Sequence, residues 1–242
     1  MSISRTKLSV SGIDVDLIRK DVKNIHLSVC PPDGLVKLTA PSKLSDDNAR
    51  LAVIQKLRWI RNKQADFQQQ QRQSKRQFVD GESHYFDGER YLLEVREEQA
   101  KPTVQIAGNG RLRMTVRPGS NLATKSSTMA EFYRAHLKRF VSGHVDDWAA
   151  RLGVEPKEIR VQKMKTRWGS CNTATGRILL NLELAKKPRT CAEYILVHEL
   201  VHLLERCHNE RFVAHMDRVM ADWRHRRDVL RSLPLAYETW AY

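Results

Sequence analysis

The chain has 242 residues, 41% of them apolar, and 42 Lys and Arg against 28 Asp and Glu give a net charge of +14. That apolar share fits a soluble globular chain with a sizeable core, and no run approaches the roughly 18 apolar residues of a membrane span. The four cysteines, Cys30, Cys171, Cys191 and Cys207, lack Cys-x-x-Cys pairing and the density of a disulfide framework.

Met1 to Leu17 alternates polar and apolar residues without a signal-like apolar block, so the expected compartment is the cytoplasm, with reduced and buried thiols. The positive charge attracts phosphate-bearing or otherwise acidic partners but does not choose among them.

From Ile3 to Ala40 apolar residues recur with period two, at Leu8, Val10, Ile13, Val15 and Leu17 and then Ile25, Leu27, Val29, Val36 and Leu38. Ser11-Gly12 and Pro31-Pro32-Asp33-Gly34 punctuate them, which predicts short antiparallel strands. Ser45 then caps one helix carrying Leu51, Ile54, Leu57 and Ile60, fading into the polar run Gln68–Arg76. Phe78–Val95 and Val104–Val116 read as hairpin strands with turns at Asp80-Gly81, Asp87-Gly88 and Gly108-Asn109-Gly110.

A long helix follows over about Leu122–Leu152, with Tyr133, Leu137, Phe140, Val141, Val145, Trp148 and Leu152 on one face and Gly153 ending it. A strand at Ile159–Met164, a turn through Trp168-Gly169-Ser170, a strand at Arg177–Leu184 and two helices separated near Cys207 complete the chain. No internal repeat is visible. The expected fold is α+β: a β-rich amino-terminal region with one helix, residues 1–118, then a second region, residues 119–242, that opens with the long helix.

Thr190-Cys191-Ala192-Glu193 has capping-box spacing, so a helix starting there runs through Ile195, Leu196, Val197, Leu200, Val201 and Leu204. Within it His198 and His202 lie four residues apart, stacking two imidazoles on one face at a separation that a single Zn²⁺ can bridge. Glu199 projects beside them as a base. His208 is the expected third ligand, since five intervening residues let the chain turn back; Glu205, Cys207, Asp217 and Asp222 are the alternatives. One Zn²⁺ per chain so held leaves a position for water, whose proton Glu199 accepts. The string His-Glu-x-x-His is short enough to arise by chance, and its apolar helix and third histidine give it weight.

Lys165-Thr166-Arg167-Trp168-Gly169-Ser170-Cys171, Gly176–Asn181, Val197–Leu203 and His208-Asn209 to Phe212 together resemble the YgjP-like metallopeptidase family. Lys37–Pro41, Trp59-Ile60, Phe78–Glu82 and Tyr91 recur in the family's order, so the resemblance covers nearly the whole chain and is least specific after Phe212. It implies a zincin-like metal domain behind a β-rich part, with His198, His202 and His208 as ligands and Glu199 catalytic. Thr166 replaces the usual serine, and Cys207 stands where asparagine is common.

Around that centre Trp168 is expected to bury against the site, Gly169 to permit a tight turn and Arg167 to hold a carboxylate, either structural or in the substrate. Asn181 lies on the strand that in zincin folds runs along the cleft, where it either meets an extended substrate or supports a turn. His215 either supports the ligands and the transition state or is an ordinary packed helix residue.

The expected partner is a polypeptide entering in extended form, with no membrane involved. Some relatives are labelled pyrophosphatases acting on UTP, but the chain lacks a Gly-x-x-x-x-Gly-Lys-Ser/Thr loop and the clustered carboxylates that hold Mg²⁺ on a triphosphate. Nucleic acid is a third partner class, through Arg50, Lys56, Arg58, Arg61 and Lys63 or Arg224, Arg226, Arg227 and Arg231, for which solvated helix faces are the default reading. A DNA-associated protease would join the first and third readings.

Overall fold

The computed structural model describes residues 4–30, 34–69, 74–164 and 167–234. It is a mixed α/β structure of three sheets and seven α-helices among the described residues, which divide into two units, one within residues 4–69 and the other within residues 74–234.

In the first unit the period-two pattern forms β1 (Ser4–Val10), β2 (Ile13–Lys20), β3 (His26–Cys30) and β4 (Leu35–Pro41). Ser11 and Gly12 both take positive φ, 53° and 78°, as a two-residue hairpin turn requires. The sheet order is β1-β2-β4-β3, and the central pair β2–β4 is parallel, so the expectation of a wholly antiparallel arrangement fails. Burial accounts for the order. Val15, Leu17, Val36 and Leu38 are fully buried, whereas β3 offers only Leu27 and Val29, partly buried, and takes an edge. Pro31, Pro32 and Asp33 lie outside the described residues.

The single expected helix after Ser45 is two, α1 (Asp46–Ile54) and α2 (Leu57–Gln69), with Ser45 accepting the Asn48 N–H at 3.3 Å as predicted. The break at Gln55-Lys56 turns Ala49, Val53 and Ile60 to the core and leaves Leu51 and Ile54 exposed, at 52% and 48%.

The second unit opens with β5 (Ser83–Phe86), β6 (Glu89–Glu97), β7 (Thr103–Ile106) and β8 (Arg111–Val116), in the order β5-β6-β8-β7 with β6–β8 parallel. This repeats the topology of the first sheet, a duplication that the sequence does not show. The Asp80-Gly81 turn precedes β5 and closes no hairpin; Asp80 Oδ1 accepts the Val95 N–H at 3.0 Å. The helix expected to reach Leu152 is divided into α3 (Leu122–Ser142) and α4 (Val145–Leu152). His144 leaves helical geometry at the junction, and its Nδ1 lies 2.7 Å from the Phe140 carbonyl oxygen. Gly153, with φ 70°, ends α4.

Then come β9 (Glu158–Gln162), β10 (Gly169–Asn172) and β11 (Arg177–Asn181) in the order β10-β11-β9, a 3-10 turn over Leu182–Lys186, and α5 (Arg189–Val201), α6 (Glu210–Val219) and α7 (Trp223–Ser232). Three helices end the chain where two were expected, and Gly169-Ser170 belongs to a strand and not to a turn.

Leu93, Leu112 and Met114 share one core with Met129, Tyr133 and Leu137 of α3, Ile178 and Leu180 of β11, and Leu196 and Leu200 of α5. Tyr133 adds a hydrogen bond from its hydroxyl to the Tyr85 carbonyl at 2.9 Å. Residues 74–118 therefore belong with the metal-motif helix, and the division falls at 73/74, not at the expected 118/119. Strand pattern reveals that one face must be buried, not which element buries it.

Candidate metal centre

Helix α5 starts one residue before Thr190, with Pro188 at its N-cap, where a missing N–H leaves no helical hydrogen bond unmade. The expected capping box does not form. Glu193 instead accepts the Trp148 Nε1–H at 3.1 Å and pairs with Arg226, which also binds Asp222 at 2.8 Å. Apolar residues bury the helix on nearly every side, and Glu199, only 4% exposed, is buried with them.

The regular helix ends at Val201, so His202 stands at its C-cap and the chain from Leu203 to Asn209 returns His208 to the same place. Ring centroids lie 4.9 Å apart for His198–His202, 4.9 Å for His198–His208 and 4.7 Å for His202–His208. Each ring offers one nitrogen within 4.8 Å of the others, and Nε2 of His198 and Nε2 of His208 are 3.0 Å apart. The three alternative carboxylates are engaged elsewhere. Glu205 accepts the Cys207 N–H at 3.5 Å and pairs with Arg211 at 3.4 Å; Asp217 holds Trp223 and Arg224, and Asp222 holds Arg226. Cys207 is exposed.

The donor set suits a cation. Burial, followed by the neighbouring His202 and His208, pushes the His198 imidazole down to about 3, so near neutral pH it carries a lone pair and no charge. Burial also lowers His202, against the pull of the Glu205 carbonyl on its Nδ1. Three imidazole nitrogens converging in a small volume, that of the buried His198 uncharged, are complementary to a divalent ion of borderline softness such as zinc.

Beside them burial pushes the Glu199 carboxyl up to about 8, with the charge of Arg167 opposing. The Cys171 thiol is raised to about 11, by burial first and then by Glu199. A cleft of about 650 Å³ opens over this group, lined by β10 and the residues after it, by Arg167 and Arg206, and by the three histidines with Glu199.

Gly169 explains part of the Arg167–Cys171 segment. A Cβ on it would lie 2.5 Å from Glu199 Oε1 and 2.7 Å from its Cγ, so the carboxylate packs on bare backbone that no other residue could provide. The glycine serves close approach, not a turn. Trp168 is partly buried against the core and does not line the cleft, with the buried Lys187 ammonium 5.6 Å from its ring centre. Arg167 extends its exposed side chain to the cleft. Lys165 and Thr166 lie outside the described residues.

Asn181 is a latch, and the turn-supporting alternative describes it. Its Nδ2 donates to the carbonyls of Met164 at 2.9 Å and Arg167 at 2.7 Å, and its Oδ1 accepts the N–H of Met164 at 3.3 Å and of Glu183 at 3.1 Å. Its strand β11 is central, so an extended substrate has no edge there; the cleft-side edge belongs to β10. His215 is half-buried on α6 and does not line the cleft. Cys171 and Arg206 do line it, and residue type alone gave no signal for either.

A helix-borne His-Glu-x-x-His with a returning third imidazole, over a cleft walled by an edge strand, defines the class of metal-dependent hydrolases. The family model for the YgjP-like metallopeptidase domain matches residues 23–233, and the chain belongs to that family. No curated protein matches it significantly. Among solved structures it is similar to the metallopeptidase zymogen of Pyrococcus abyssi abylysin, at 19% identity and a TM-score of 0.34, over 39% of this chain and 90% of that one. No helix among the described residues is long and apolar enough to cross a membrane.

Proposed function

We propose that the chain is a zinc peptidase in a zincin-like arrangement, with His198, His202 and His208 holding one Zn²⁺ and Glu199 as general base. The observation that carries this reading is the convergence of three imidazole nitrogens beside a buried carboxylate at the floor of one cleft. When bound, the ion supplies a Lewis acid that polarises the scissile carbonyl and makes the attacking water more acidic.

Glu199 takes the proton from that water and passes it to the leaving amine. Burial favours its protonated form and a cation beside it favours the ionised one, so both forms are accessible near neutral pH. Gly169, lacking a Cβ, lets the carboxylate lie directly against the β10 backbone. The outer edge of β10 has no strand partner among the described residues and can pair with the backbone of an extended polypeptide. Arg167 and Arg206 at the cleft favour acidic side chains on that substrate.

A triphosphate held through Mg²⁺ needs several oxygen ligands, and Glu199 is the one carboxylate lining the cleft among the described residues. A nucleic-acid surface finds little support in α7, where Arg224, Arg226, Arg227 and Arg231 pair with Asp217, Glu193, Asp222 and Asp228. Arg50, Arg58 and Arg61 of the first unit are exposed, as is Lys56 between its helices.

Zinc-loaded protein is expected to digest casein, to stop with chelator, and to release no pyrophosphate from UTP. Glu199→Gln should lower casein turnover by about 10²–10⁴-fold while retaining zinc; pyrophosphate release that depends on Glu199, without proteolysis, would replace this reading.

A further inference from the structure

Metal-bound imidazoles are ordinarily held in one rotation and tautomer by a hydrogen bond at the nitrogen facing away from the ion. Here His202 has such a partner, its Nδ1 lying 3.0 Å from the Glu205 carbonyl oxygen. The Nδ1 of His198 is buried with no hydrogen-bond partner, and the hydrogen-bond contact of the His208 ring is His198 itself. The buried His198 ring is therefore oriented by something else.

That something is an aromatic ring. The centroid of Phe212 lies 4.9 Å from that of His198, 4.8 Å from that of His202 and 4.8 Å from that of His208, at interplanar angles of 66°, 39° and 80°. Among the described residues no other aromatic side chain meets all three; Tyr194 reaches His198, at 5.8 Å. Phe212 is 2% exposed, and its own place is set by the backbone. Asn209 caps α6 by accepting the Phe212 N–H at 3.0 Å, so the residue directly after His208 anchors the residue on which His208 rests.

A ring in edge or tilted contact with three others limits their rotation in a way that a flexible aliphatic chain of similar volume does not. We infer that Phe212 is a positioning residue of the metal centre, whose ring stands in for the missing hydrogen bond of His198 and holds His198 and His208 where their nitrogens converge with that of His202. This rests on the metal-centre reading above.

The test is zinc affinity by competition with a chromophoric chelator, and the Co²⁺ absorption spectrum, on the full chain. Phe212→Leu, and Phe212→Met, which keeps an apolar chain of similar volume without the ring, should weaken zinc binding by about 10–100-fold and alter the Co²⁺ bands while circular dichroism stays native. Met216→Ala is the control for general destabilisation. Met216 is fully buried on the same helix and belongs to the same core, so its loss should lower the melting temperature and weaken zinc binding less than loss of the Phe212 ring does. Native affinity in a folded Phe212 variant, or an equal loss in Met216→Ala, would overturn the inference. A native protein that takes up no zinc would bring down the metal centre itself, a result seen before any variant is made.

Discussion

The two four-stranded sheets share strand order and a parallel central pair, and each leads into a helix capped by a short polar side chain, Ser45 in one case and Asn121 in the other. Their cores differ. The first sheet closes on α1 and α2, whose Ala49, Val53 and Ile60 complete a separate cluster. The second has no cluster of its own: Leu112 and Met114 merge with residues of α3, β11 and α5. The helix that follows makes the difference. α1 and α2 are 9 and 13 residues long, whereas α3 has 21 and touches β7, β8, β9 and the 3-10 turn, so one helix serves two sheets. One topology can thus be a self-contained module or a wall of a catalytic core, depending on the length and apolar width of the next element.

If that contrast is right, the metal centre should respond to changes in the second unit and be indifferent to equivalent ones in the first. The largest effect is expected at Gly169, where a methyl group displaces Glu199. Gly169→Ala should cost casein turnover on the order of 10²-fold with zinc retained, and loss of zinc instead would show that β10 positions the ligands and not the base.

A matched pair of core truncations tests the contrast directly. Leu112→Ala and Leu38→Ala each remove a fully buried leucine and should each destabilise by about 2–5 kcal/mol in denaturant unfolding. Only Leu112→Ala should weaken zinc binding; equal weakening by both would erase the distinction between the sheets. Asn181→Ala should cost about 1–3 kcal/mol by leaving buried partners unsatisfied. Faster hydrogen exchange at the Met164 amide would report release of the latch.

The smallest effect concerns pH. In the metal-free protein Glu199 is raised to about 8 from the ordinary 4.5, so between those values the folded state holds a proton that the unfolded state has lost. Its stabilising contribution is complete below 4.5 and declines as pH rises through 8. Glu199→Gln has no such proton to lose. Its melting temperature should therefore gain on the native protein by several degrees over that interval, and a constant difference would contradict the raised value.

Much of the site was legible because its chemistry is local. Two histidines four residues apart on a helix share a face whatever surrounds them, and the apolar residues between them announce a buried helix. The hairpin turns at Ser11-Gly12 and Asp87-Gly88 were legible for a similar reason, since positive φ at both positions restricts which residues can stand there. Strand pairing was not legible: nothing in residues 13–41 distinguishes an antiparallel neighbour from the parallel β2–β4 pair until burial has ranked the strands. Glu193 looked like half of a capping box because spacing is all that a sequence shows of it; Arg226, 33 residues away, offered a charged partner instead.

By itself, then, the sequence determined the family, through motifs spread along the chain, and the helix that carries His198 and Glu199 and ends at His202, which depends on residues near one another. Tertiary structure alone decided that Gly169 is the surface on which Glu199 lies, that Asn181 latches the segment ahead of β10, and that Phe212 meets all three imidazoles. The first of these contacts joins residues 30 apart in sequence, across a strand-to-helix packing. No periodicity encodes such a contact, because it depends on where two elements come to rest and not on how either one forms.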